Sequence, residues 1–168
     1  MRIRNNRIII INILVYILFI FIGRNLDLYK QNYSTLSLET RGYLCLLVTG
    51  IILGLLLGYE TMIISNKRNG VLMLFGLIVG VMIPHHVPYN FQGNMHLLFA
   101  YTSAFIITIL TYINIYRFNN IKTVFVLSVV LSIITYMKYM MVTGIGEIIL
   151  MSSIMICNLW AYIKTSRI

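Results

Sequence analysis

The sequence predicts an all-α polytopic membrane protein with six transmembrane helices and both termini in the cytoplasm, on three observations. Sixty per cent of the residues are apolar, 10% are charged and the mean hydropathy is +0.89, well outside the balance of a soluble globular domain. The apolar residues fall into six runs, about 8–23, 41–64, 71–84, 94–116, 123–142 and 147–163, within one domain spanning 1–168. The cations are distributed unevenly between the alternate connections. One side collects Arg2, Arg4, Arg7, Lys67, Arg68, Arg117, Lys122, Lys164 and Arg167, nine of the 13, and the other Arg24, Lys30, Arg41 and Lys138. The positive-inside rule puts the richer side, with both termini, in the cytoplasm of a multi-pass cell-membrane protein.

The first run follows Arg2, Arg4 and Arg7 as a signal peptide would, but it ends in Gly23-Arg24-Asn25-Leu26-Asp27 without a small-residue cleavage site. It reads as an uncleaved helix. Asn12 inside it is expected to hydrogen-bond a neighbouring helix, because an amide in hydrocarbon seeks a partner. The loop from Arg24 to Thr40 has mixed charge, and its Tyr29 and Tyr33 suit a membrane interface.

The second run carries Gly50, Gly54 and Gly58 four apart, on one helix face, and Gly76 and Gly80 repeat that spacing in the third. Small residues in register allow close backbone approach, so helices two and three are expected to pack along their glycine faces. Association between two copies of the chain, or with another membrane protein, is the alternative use of the same motif. Glu60, near the cytoplasmic end of helix two, is placed to reach the headgroups or pair with Lys67 or Arg68, with a functional role as the alternative. The third run is shorter than a usual span and is closed by Pro84, which turns the preceding residue away from helical geometry.

In the fourth run His96, Ala100, Ser103 and Thr111 share one side, and in the fifth Ser128, Ser132 and Thr135 do; these small and polar faces should point into the bundle. Gly144 and Gly146 mark the turn into the sixth, where Glu147, Met151, Ile154 and Asn158 form a stripe and Trp160 and Tyr162 read as interfacial anchors.

All three histidines and both prolines lie between Ile83 and His96. On the orientation above this stretch faces outward, on the same side as Glu147 and Lys138. Ionisable groups near spanning helices usually mark cavities or pathways, so an outward-facing polar pocket is expected. His96 and Glu147 would line it, His85 or His86 would stand above, and Tyr89 and Lys138 are further candidates for binding the ligand or proton.

Three chemistries fit such a group. Histidine exchanges a proton close to neutrality and glutamate accepts a cation, which suits binding or proton-linked transport of a small ligand or ion. His85, His86, His96 and Glu147 could alternatively ligate zinc with one position open, as in a membrane-embedded hydrolase, although no H-E-x-x-H pattern is present. The same groups could also simply hydrogen-bond one another and hold the outer loop of a structural subunit.

Other classes lack their signatures. The net charge of +9 includes no basic stripe interleaved with aromatics, so nucleic acid is not an expected partner and the lipid bilayer is. Cys45 and Cys157 sit in separate apolar runs without a metal or redox spacing, and read as small buried thiols. No nucleophile elbow or phosphate loop occurs, and the balance leans away from an enzyme.

In layout, Gly58-Tyr59-Glu60 at the end of a glycine-rich second helix, the Pro84-bounded loop, His96 opening helix four and Glu147 opening the last helix resemble the six-helix DRAM/Frag/Sfk-type membrane proteins and their bacterial relatives. That resemblance implies a role in lipid or membrane homeostasis without established enzyme chemistry, and it assigns no functional residue. A substrate-binding subunit of a transporter is similar in size and topology, with Ala100 and Ala104 at helical spacing as the shared feature.

Overall fold

In the computed structural model of the protein, residues 2–24, 26–38, 40–82, 91–139 and 142–166 are described, with backbone alone for 2–5, 92 and 93. Six α-helices follow in order: α1 Arg2–Ile22, α2 Thr40–Ile64, α3 Lys67–Met82, α4 Phe91–Ile115, α5 Asn119–Tyr139 and α6 Gly144–Thr165. A short 3-10 helix, Tyr33–Leu38, lies between α1 and α2, and no strand occurs among the described residues. Four helical segments are long and apolar enough to cross a membrane: Thr40–Ile64, Asn94–Ile115, Asn119–Tyr139 and Gly144–Thr165. The apolar part of α1, Asn6–Ile22, is shorter. The 16 described residues of α3 rise about 24 Å, less than a hydrocarbon core of about 30 Å, and the expected stop at Pro84 lies outside the described residues.

Two helices, α3 and α6, start before their apolar runs, because polar residues cap them. The Asn66 side chain accepts from the backbone N–H of Asn69 at 2.9 Å, which starts α3 at Lys67. Thr143 does the same for α6, accepting from the N–H of Gly146 at 3.2 Å.

Helices α2 and α6 form the centre: α2 touches α1, α3, α4 and α6, and α6 touches α1, α2, α4 and α5. The packing of α2 on α3 is the most extensive, and small residues set it. A Cβ at Gly50 would stand 2.7 Å from Val81, one at Gly54 3.1 Å from Leu74, and one at Gly58 3.0 Å from the carbonyl oxygen of Gly70. The α2 glycines therefore face α3 of the same chain. Gly76 and Gly80 do not answer them, which corrects the expectation of matched glycine faces. Their nearest neighbours are Ile107 and Ser103 of α4. At about 100° per residue, Gly70, Leu74, Leu77 and Val81 form one face of α3, while Gly76 and Gly80 lie roughly a quarter turn away. Thus α3 uses small residues on two faces, Gly70 toward α2 and the other pair toward α4.

Buried polar groups tie the helices together on the side away from the α6 N-terminus. Asn12 of α1 donates to Glu60 Oε1 at 2.7 Å, the cross-helix bond expected of it. Glu60 is fully buried and makes no ion pair with Lys67 or Arg68, contrary to the snorkelling expectation, because α1 brings an amide donor to it inside the bundle. Asn114 of α4 donates to Thr61 at 2.9 Å and to Asn158 at 2.6 Å, and Asn158 donates to Thr111 at 3.0 Å, linking α2, α4 and α6. Three acceptor oxygens, Asn12 Oδ1, Glu60 Oε2 and Asn114 Oδ1, are buried without a hydrogen-bond partner among the described residues.

Two aromatic assignments change. Tyr162 is fully buried and packs on Tyr59 with ring centroids 6.2 Å apart, so it belongs to the core and is no interfacial anchor. Trp160 is half-buried, edge-on to Phe118 at 4.8 Å and under the Lys164 ammonium at 5.3 Å. Cys157 is buried, but Cys45 is exposed on the outer surface of α2, since the opposite face of that helix carries the glycines.

Candidate functional site

The site begins with the connection between α1 and α2. It folds back over the start of α6: Gly144 N–H donates to Gln31 O at 2.7 Å, and Ile145 N–H to Leu28 O at 3.2 Å. Those donors have no partner inside their own helix, so the loop satisfies the α6 N-terminus. Gly144 fits there because a side chain would meet Leu28 at 2.7 Å. Tyr33 follows, and it is buried where an interfacial position was expected. Its ring stacks on Phe19 at 4.4 Å, and its hydroxyl donates to Phe19 O at 3.1 Å. Burial, with Glu147 and Tyr16 nearby, pushes the Tyr33 hydroxyl up from 10.0 to about 12, so it remains a donor.

The Tyr33 backbone N–H donates to Glu147 Oε2 at 2.6 Å, which fixes the carboxylate in the first turn of α6. Among the described residues Glu147 has no cationic partner, and the ion pair found there is the exposed Lys30–Asp27 contact at 3.8 Å.

Glu147 lines a cavity of about 470 Å³ between α4, α5 and α6. His96, Leu97, Ala100, Tyr101, Ala104 and Thr108 supply the α4 wall, and Val129, Ser132, Ile133, Thr135 and Tyr136 the α5 wall. The α6 wall is Gly146, Glu147 and Leu150, and Asn32 and Ser34 close one end together with Thr143. Helix α5 reaches α6 here because Gly146 admits Thr135, whose Oγ1 a Cβ would meet at 2.7 Å, while Ser132 donates to Gly146 O at 3.1 Å. Contact between α4 and α5 is slight, and the cavity is the space left between them. A second cavity of about 170 Å³, toward α2 and α3, shares Ser34, Ala100, Ala104, Glu147 and Leu150 with the first. Glu147 therefore stands between two spaces.

His96 and Glu147, 51 positions apart in the chain, thus line one cavity, from its α4 and α6 walls, with His96 only 4% exposed. Lys138 does not join them. It is exposed, with its ammonium 5.2 Å from the Tyr139 ring, and lies outside the lining. His85, His86 and Tyr89 lie outside the described residues. The zinc reading needs those two histidines; among the described residues no three His, Cys, Asp or Glu side chains come together as a metal site. Sequence reasoning did not find Asn32, Ser34 or Thr143, whose loop position carries no periodic signal. Tyr101 and Tyr136, on the flanks of the expected polar faces, were also missed.

No protein-family model matches the chain, and no curated protein or solved structure matches it either.

Proposed function

We propose that the chain is an integral membrane protein of six spans with cytoplasmic termini, and that the cavity between α4, α5 and α6 binds a small ligand or ion from the outer side, in a manner suited to proton-linked uptake. One observation carries this: the imidazole of His96 and the carboxylate of Glu147, from sequence-distant helices, line one cavity of a size usual for small-molecule sites. An imidazole and a carboxylate lining one cavity can exchange a proton and hold a cationic or donor group. The excess of Lys and Arg on the other side of the bundle supports the outward orientation.

Purified protein reconstituted in liposomes and titrated with a short probe amine, ethylamine, at several pH values tests the reading. Binding or uptake is expected to depend on pH and to fall about tenfold or more in Glu147→Gln, the scale of one charge-assisted hydrogen bond, and to fall also in His96→Ala. Equal uptake in the wild type and both variants would remove this function.

A further inference from the structure

The cavity is longer than an ion or a small polar solute needs. Its α4 wall runs from His96 to Thr108, twelve residue steps and about 18 Å along the axis, within the apolar segment Asn94–Ile115. Glu147 and the polar residues Asn32, Ser34 and Thr143 lie toward one end, while the Ser132 and Thr135 hydroxyls of α5 donate to the backbone carbonyls of Gly146 and Ser132. Beyond them the walls are Ala100, Ala104, Val129, Ile133 and Leu150, and the Thr108 hydroxyl at the far end donates to Ala104 O at 2.7 Å.

The cavity also has a side opening. Leu97 and Tyr101 on α4 are 37% and 51% exposed, and Ile133 and Tyr136 on α5 are 51% and 48% exposed, although all four line it. Both helices are long and apolar enough to span, so a gap between them at that depth opens onto acyl chains. A solute that enters there arrives from the lipid, and the part of it that fills the apolar length is hydrocarbon.

The headgroup follows from charge. Among the described residues Glu147 is held by one donor, the Tyr33 N–H, and no cation neutralises it. A carboxylate at the end of an apolar cleft is complemented by an ammonium, whose N–H groups could also reach Ser34 or Asn32. Resting on the binding role proposed above, we infer that the cavity takes a single-chain cationic amphiphile, an alkylamine, which enters between α4 and α5 and sets its ammonium at Glu147 and its chain along Ala100 and Ala104.

The experiment uses the full-length protein in lipid nanodiscs with a diazirine-tagged long-chain alkylamine. Photolabelled residues are mapped by mass spectrometry in the presence of competing unlabelled alkylamine, alkyl alcohol of the same chain length, or ethylamine. Labels are expected on the facing sides of α4 and α5, displaced by the alkylamine at about tenfold lower concentration than by the alcohol, and by ethylamine only at concentrations far above those at which the alkylamine competes. Glu147→Gln should abolish the preference for amine over alcohol, and Ala104→Phe, which fills the apolar end and leaves Glu147 intact, should abolish the labelling. If ethylamine competes as well as the long-chain amine, or Ala104→Phe labels normally, the amphiphile inference fails while the outer site stands. If labels scatter over the exposed faces of α1 and α5 regardless of variant or competitor, and ethylamine does not bind, both readings fail.

Discussion

Gly70→Leu is expected to cost about 3 kcal/mol or more, a large share of the 5–15 kcal/mol that holds a typical domain together. The reason is a reciprocal backbone contact. A Cβ at Gly70 would stand 2.6 Å from the Gly58 carbonyl oxygen and 3.0 Å from the Met62 nitrogen, and would also run into the Met62 side chain. Backbone atoms cannot rotate aside, so α3 must move off α2, and the contacts through Leu74 and Val81 go with it. Gly76→Ala is the control. Its Cβ would meet Ile107 and Ile106 at 3.5 and 3.7 Å, ordinary van der Waals distances, so the change should fall within about 0.5 kcal/mol of neutral or stabilise the helix slightly. Unfolding by denaturing detergent, followed by circular dichroism, separates the two; equal midpoints would contradict the α2–α3 packing described here.

The second large effect is at Asn12. Its amide provides the hydrogen bond to Glu60 at 2.7 Å, and Glu60 Oε2 is already buried without a partner. Asn12→Leu would leave both oxygens unpaired in the bundle interior, at an expected cost of about 3 kcal/mol. Removing both polar groups should recover most of that, because an apolar pair of similar volume carries no unsatisfied acceptor. The double variant Asn12→Leu/Glu60→Leu is therefore expected to be more stable than Asn12→Leu alone, and a cycle of the four proteins measures the coupling. Purely additive losses would show that the two side chains do not interact.

These two positions also show what could be read from the chain. Apolar runs and their interruptions gave six helices, since burial in a spanning helix demands an unbroken apolar stretch. Periodicity gave faces as well: His96, Ser103 and Thr111 are all buried, and Ser132 and Thr135 line the cavity. It could not say which neighbour each face meets. Gly76 and Gly80 have the same spacing as the α2 glycines yet face α4, because a repeat fixes angles around one axis and says nothing about the position of the next. Glu60 was misjudged for a related reason. Its distance from the helix end suggested the headgroups, while the approach of α1 decided its surroundings. Tyr33 and Tyr162 were assigned to the interface on residue type, and tertiary packing buried both.

The convergence of His96 and Glu147 on one cavity is the proposition on which the function and the ligand both depend. It can be measured directly with His96→Cys/Glu147→Cys in a Cys45→Ser/Cys157→Ser background, treated in membranes with a bifunctional maleimide short enough to lie inside the cavity. The protein, cleaved between α4 and α6 at an introduced protease site in the α4–α5 turn, should stay joined as one species. Two separated fragments, with each cysteine reactive in its single variant, would contradict it.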